Sequence, residues 1–438
     1  MIAEKIIFSL LIGSISRELS MDNKKKTHFA AAHERSGSLF VTRPDLPPLD
    51  EFVDYLKKIW DRRWLTNNGL FHQELEQALA DYLGVQHLSL FANGTLALVS
   101  ALQVLRITGE VITTPYSFVA TTHALHWNGI TPVFCDIDPN TMNIDHTKIE
   151  ALITPKTTAI LPVHVYGIPA NVREIQRIAD IYGLRVIYDA CHAFGVRMNN
   201  ESILNFGDLS VLSFHATKIF TTMEGGAIIT NNPKIKKRID YIKNFGFANE
   251  TTVMAPGING KMNEMQAALG ILQLKYVDEY IRIRKKVSEF YERELESVSG
   301  VRYLERRPGI RHNYAYFPIF VNEKEYGISR DELYFKMKEK NIYCRRYFYP
   351  LISEFPMYRN LPSAGEDKLP VATRVSREVI ALPLYPRLSQ EDQRRVIDVI
   401  KTNARQIDHY NLGDNKSDTF LCDHPLSIPL QSVQISGS

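Results

Sequence analysis

The chain has 438 residues, 45% of them hydrophobic and 23% charged, with a formal net charge of +3. That length and apolar fraction suffice for a sizeable core and more than one domain, and so small a charge gives no electrostatic reason to expect a nucleic-acid or membrane partner. The four cysteines, Cys135, Cys191, Cys344 and Cys422, form no CxxC pair, which argues against a zinc centre or disulfide framework, sets the metal expectation at none and fits a reducing cytoplasm.

Residues 1–40 read differently from the rest. The apolar run 6–13 after Lys5 has the flavour of a signal-peptide core, but it is too short to span a bilayer and no small-residue cleavage site follows it. Residues 1–40 are expected to be a disordered N-terminal extension, the part ahead of Met21 arising from an upstream start, with Lys24, Lys25 and Lys26 as a solvated tail. Residues 411–438, rich in Ser, Gln and Pro without periodicity, are expected to be a second disordered tail.

From Val41 the pattern becomes regular. Apolar residues at helical spacing predict helices over 49–60 and 74–83, the second ended by Gly84. Strand-like runs over 87–92, 110–113, 132–135, 158–164 and 185–189 then alternate with helices near 94, over 118–127 and over 171–182. Such alternation predicts an α/β fold with a mostly parallel sheet covered by helices on both faces. A helical region over about 263–298 leads into a smaller C-terminal α+β domain, with a strand over 314–321 and helices over 330–340 and 390–402. The expected division is a large domain over 41–290 and a small one over 291–410.

In an open parallel sheet, ligands sit beyond the carboxyl ends of the strands. Asn93, His164, Asp189 and Ser213 all fall at such ends. Each alone reads equally as a turn or cap residue; their shared placement on one rim points to a site. Gly94 and Thr95 follow a strand and open a helix, where free amides and the Thr95 hydroxyl suit a phosphate. No GxxxxGK[ST] and no GxGxxG occurs, which counts against a P-loop or a dinucleotide-binding dehydrogenase. Asp189 ends a buried apolar run, so its carboxylate needs a positive partner: a structural arginine or a protonated ring nitrogen. Phe118 offers either core packing or a flat face for a ring. Lys218 follows an apolar strand, in a turn with Ser213 and Thr217 ahead of Gly225 and Gly226. A lysine and a carboxylate so placed are what pyridoxal 5′-phosphate (PLP) chemistry needs, the one for a Schiff base and the other to keep the pyridine nitrogen protonated. Beside a cationic ring, Lys218 is expected to have a lowered pKa.

These residues make the chain recognisable. From about Pro44 to Lys401 it resembles the DegT/DnrJ/EryC1/StrS family of PLP-dependent nucleotide-sugar aminotransferases, in ordered segments that include Leu65-Thr66-Asn67-Asn68-Gly69, Asn93-Gly94-Thr95, Asp189-Ala190-Cys191-His192, Ser213 to Lys218 and Lys243-Asn244-Phe245-Gly246. The resemblance implies the PLP-dependent transferase fold type I (aspartate aminotransferase-like). It further implies Lys218 as the Schiff-base lysine, Asp189 as partner of the pyridine nitrogen, His192 near the phenolic oxygen and Phe118 stacked on the ring. Gly94, Thr95 and Ser213 would hold the phosphate, and Asn244 would reach it from the neighbouring subunit of a homodimer with shared active sites.

The implied substrates are L-glutamate and a nucleotide-linked keto-sugar. Within the family, the wording of residues 46–52, 65–69 and 213–218 is similar to the bacterial subgroup that makes dTDP-4-amino-4,6-dideoxyglucose from dTDP-4-dehydro-6-deoxyglucose for surface polysaccharides. Amination at C3, a GDP- or UDP-linked sugar, or a non-catalytic binding member are the alternatives; an intact Lys218 and Asp189 disfavour the last. Candidate sugar-nucleotide contacts are His164, Tyr166, Arg345 and Tyr347, the arginine for a diphosphate and the tyrosines for hydroxyls. For residues 345–350 a packed aromatic strand with a solvent-facing arginine is an equal reading.

Overall fold

The computed structural model describes residues 37–405. The expected tails over 1–36 and 406–438, the apolar run 6–13 among them, lie outside the described residues.

Seven strands form the central sheet: β1 (His87–Phe91), β2 (Glu110–Thr113), β3 (Thr131–Phe134), β4 (Thr157–Leu161), β5 (Arg185–Asp189), β6 (Leu209–Ser213) and β7 (Gly226–Thr230). Their order is β1-β7-β6-β5-β4-β2-β3. β6, β5, β4, β2 and β3 pair in parallel, whereas β7 runs antiparallel to both of its neighbours. Two reversals cancel, so β1 points the same way as β6 and six carboxyl ends share one rim.

The strands read as continuous apolar runs because both faces are covered. Leu88, Leu90, Ile112, Ile160, Val186, Tyr188, Leu212, Ala227 and Ile229 enter one core. The intervening Val111, Ala159, Leu161, Ile187, Val211 and Ile228 enter the other, against helix Gly94–Val104.

Helix Leu49–Arg62 starts where the pattern places it. The next begins four residues early, at Leu70, because Glu264 accepts hydrogen bonds from the Phe71 and His72 amides at 2.9 and 2.8 Å and so caps its first turn. The helical region expected over 263–298 is two helices, Glu264–Leu274 and Val277–Leu295, broken at Lys275 and Tyr276. Val277 packs in the first core, while Val287, Tyr291 and Leu295 belong to a further cluster with Ile319, Val321, Leu333, Met337, Ile380 and Ile397. That cluster is built on an antiparallel sheet of Val301–Tyr303, Phe317–Val321 and Val379–Leu382.

Candidate active site

The rim carries the chemistry. Beyond β5 come Asp189, Cys191 and His192; beyond β6 come Ser213 and the lysine loop; beyond β1 come Asn93, Gly94 and Thr95. Gly226, at the start of β7, pairs with Ser213 on one side and Phe91 on the other, which draws the lysine loop and the Gly94 turn together. A cavity of about 660 Å³ lies over them, walled by Gly94, Thr95, Phe118, Asp189, His192, Ser213, Lys218, Tyr316, Tyr347 and Phe348 among others.

The lysine loop is pinned from below. The Phe214 amide donates to the Gly225 carbonyl at 2.8 Å, and the Thr222 amide and Thr221 hydroxyl donate to the Phe214 carbonyl at 3.0 Å each. Phe214 and Phe220 pack edge to face, and Phe220 stacks on Phe194 at 4.6 Å. A Cβ on Gly225 would lie 2.0 Å from Thr222 Oγ1, so the turn back into β7 has room for glycine alone.

Asp189 is 5% exposed. Its Oδ2 accepts from Thr121 Oγ1 at 2.7 Å and its Oδ1 from the Cys191 amide at 3.1 Å. Thr121 in turn meets Ser117 Oγ at 3.0 Å. These contacts fix the carboxylate's orientation and leave lone pairs for a cationic partner.

Lys218 Nζ donates to the Tyr316 hydroxyl at 3.4 Å. Burial lowers its pKa, but Tyr316, Cys191 and Asp189 outweigh burial and hold it above the ordinary value. The expected lowering rested on a cationic ring as neighbour; the protein groups around Nζ act in the opposite direction, because they are acids. Burial, and next the Lys218 charge, keeps His192 neutral, its pKa well below the usual range. Its Nδ1 accepts from the Tyr166 amide at 3.3 Å, which assigns the proton to Nε2 and makes that atom a donor. Burial raises the Cys191 thiol well above its ordinary pKa, so it is no nucleophile here.

At the other end, Asn93 caps helix Gly94–Val104 by accepting from the Leu96 amide at 2.8 Å. The Gly94 and Thr95 amides precede the first intrahelical bond and stay available to an anion. A Cβ on Gly94 would stand 2.8 Å from Ser213 Cβ, so the cradle closes only around glycine.

The sequence model of the DegT/DnrJ/EryC1/StrS aminotransferase family matches residues 49–401. The chain belongs to that family. It is 54% identical over 352 residues, covering 80% of this chain and 95% of the relative, to a dTDP-4-amino-4,6-dideoxy-D-glucose transaminase of Escherichia coli. Among solved structures, DesI in the presence of its TDP-sugar product superposes with a TM-score of 0.80 at 34% identity, covering 84% of this chain and 93% of DesI. NtdA of Bacillus subtilis, with bound cofactor PMP, superposes at 0.73 and 29% identity over 81% of each chain.

The fold is thus that of PLP-dependent aminotransferases, and the chain is an aminotransferase. The cofactor that goes with this fold and family is pyridoxal 5′-phosphate, and the residues present fit it. The fit rests on a buried carboxylate held with lone pairs to spare, a neutral imidazole donor, an exposed aromatic ring at Phe118 on the cavity wall, and an amide cradle for an anion.

Not every expected site residue reaches this cavity. His164 is fully buried, its ring stacked on Tyr188 at 4.6 Å and its Nδ1 accepting from the Ala170 amide. Burial holds its pKa down, to about 3. Tyr166 is also buried, its hydroxyl shared between Tyr116 at 2.6 Å and the Tyr347 carbonyl. It braces Tyr347, which does line the cavity, and lies behind the wall. Arg345 is exposed and pairs through its backbone with Ala381, away from the cavity lining. Asn244 bridges to Asn259 in a separate loop.

The residues that sequence reasoning missed are Thr121 and Tyr316, whereas Phe348, within the candidate stretch 345–350, does line the cavity. Thr121, three residues after Phe118, gave no sign that it would meet a carboxylate 68 residues on. Tyr316 precedes a strand that belongs to another sheet, so only tertiary structure brings it to Lys218.

Proposed function

We propose that the chain transfers the amino group of L-glutamate to a nucleotide-linked keto-sugar, dTDP-4-dehydro-6-deoxyglucose, giving dTDP-4-amino-4,6-dideoxyglucose in the cytoplasm for a bacterial surface polysaccharide such as an O-antigen. The single observation that carries the chemistry is the shared cavity: Lys218, Asp189 and the Gly94 cradle open onto one space. The 54% identity to the Escherichia coli enzyme favours this sugar over the GDP-linked alternative, since a GDP-perosamine synthase of Caulobacter vibrioides is 34% identical.

When bound, the cofactor supplies the electron sink for moving an amine between carbons. Lys218 would be the base and acid: Nζ would take and hold the proton from the amine-bearing carbon of the donor, and would give a proton to the sugar carbon that gains the amine. Asp189 would keep the ring nitrogen protonated, His192 Nε2–H would donate to the phenolic oxygen, and Phe118 would offer its face to the ring. Gly94, Thr95 and Ser213 would hold the phosphate, joined by Asn244 of the second subunit in a homodimer. The placement of Asn244 on a separate loop, flanked by the exposed Phe245 and Phe247, favours this shared arrangement. Tyr347, which lines the cavity, would face the sugar nucleotide, with the buried Tyr166 behind it.

Incubation with L-glutamate and a panel of dTDP-, GDP- and UDP-linked keto-sugars tests the reading. NMR of the product is expected to show an equatorial amine at C4 of the dTDP sugar. Amination at C3, or turnover confined to a GDP or UDP sugar, overturns the substrate assignment.

A further inference from the structure

The lysine must exist free during each half-reaction, and the structure shows what holds it. Lys218 is a long, mobile side chain whose buried Nζ forms no ion pair with a carboxylate among the described residues. Its hydrogen-bond partner is Tyr316 Oη at 3.4 Å, and Nζ also lies 6.0 Å from the Tyr316 ring centroid. That hydroxyl makes no other hydrogen bond among the described residues. The ring is fixed by edge or tilted contacts with His192 at 4.9 Å, Tyr347 at 5.8 Å and Tyr166 at 5.9 Å. It is therefore a rigid post carrying one spare polar atom, aimed at the amine.

We propose that Tyr316 is the positioning residue for Lys218, its hydroxyl accepting from the ammonium and donating to the free amine, so that one contact holds the lysine in both protonation states. This rests on the reading of Lys218 as the cofactor lysine. A carboxylate in the same place would do only half of this, because it accepts and cannot donate. It would also fix Nζ as a cation, whereas proton transfer needs both forms to be reachable. The other titratable groups facing Nζ are Asp189, Cys191 and His192 beyond β5 and Tyr347 beside the Tyr316 ring. None of them makes a hydrogen bond to it. The hydroxyl favours the charged lysine, in agreement with the direction of the Lys218 pKa.

The test uses the full-length chain, stripped of cofactor, pulsed with an acetylating reagent near pH 8 and mapped by peptide mass. Removing the hydroxyl in Tyr316→Phe is expected to speed Lys218 acetylation about threefold relative to the surface lysines, because more amine is uncharged. Tyr347→Phe, which removes a neighbouring hydroxyl with no bond to Nζ, is expected to leave labelling unchanged. Tyr316→Leu gives the same reading should the phenylalanine variant fold poorly. In the loaded enzyme, Tyr316→Phe is expected to slow amine uptake from L-glutamate about tenfold, with cofactor affinity kept within about twofold. Unaltered Lys218 labelling, an equal effect from Tyr347→Phe, or unaltered amine uptake overturns the proposal. Failure of the unsubstituted enzyme to take up amine would instead strike the proposed function and leave the labelling result standing.

Discussion

Two groups of lysines held largely out of solvent in this protein have been put to different uses. Lys236 and Lys243 sit between Glu76 and Asp240: Lys236 Nζ lies 2.6 Å from Glu76 and 2.8 Å from Asp240, and Lys243 Nζ lies 3.1 Å from Asp240 and 3.5 Å from Glu76. Lys218, half-buried, has a tyrosine hydroxyl where those have carboxylates. Paired anions hold an ammonium in one state and tie helix Leu70–Leu83 to helix Pro233–Ile242. A neutral partner holds the nitrogen in place and leaves its proton exchangeable. Burial alone does not make a lysine reactive; the choice of partner does.

The largest effect is expected from breaking the structural side of that contrast. Glu76→Ala leaves Lys236 and Lys243 with half their counter-charge in a mostly buried setting. Uncompensated buried charge costs several kcal/mol; allowing for the partial exposure of this cluster, a loss of about 3 kcal/mol in urea denaturation is expected. Lys218 labelling should not change.

A second prediction concerns pH. His72 packs beside the same cluster, and burial together with Lys243 lowers its pKa to about 4. Its folded-state pKa is depressed, so the stability it contributes is fully present above its unfolded value near 6.5 and is lost as pH falls towards 4. Between pH 6.5 and 5 that amounts to about 2 kcal/mol. His72→Gln should flatten the slope of stability against pH over that window, and an unchanged slope would remove His72 from the account.

The smallest effect sharpens the catalytic side. Thr121→Val deletes the 2.7 Å bond to Asp189. Hydrogen bonds to charged groups are worth about 1.5 kcal/mol at the low end, so cofactor affinity, read by fluorescence titration, is expected to fall about tenfold. An unaltered affinity would show that the Cys191 amide alone orients the carboxylate.

Much of this arrangement was legible in the sequence. Asp189, Ser213 and Asn93 end apolar runs, and parallel strands put such ends on one rim. His164 shows the limit of that rule: it too follows a strand, but its ring turns inward onto Tyr188. β7 escaped notice because its apolar residues follow directly on the glycine turn and, alone in the sheet, it runs backwards. The strands at Arg197–Met198, Glu201–Ser202 and Ile310–Arg311 have two residues each, too few for any period to show. The partners of the lysines were invisible for a plainer reason. Glu76 and Lys236 are 160 residues apart, and Lys218 and Tyr316 are 98 apart; no local pattern records a contact of that range.

Among the described lysines, Lys218 is the one placed to join covalently to an aldehyde whose ring nitrogen would meet Asp189. Borohydride reduction of the enzyme loaded with pyridoxal phosphate, followed by peptide mass mapping, tests this most directly. The account predicts one reduced cofactor per chain, on the peptide containing Lys218. A label on Lys236, Lys243 or any other lysine, or no label at all, would contradict it.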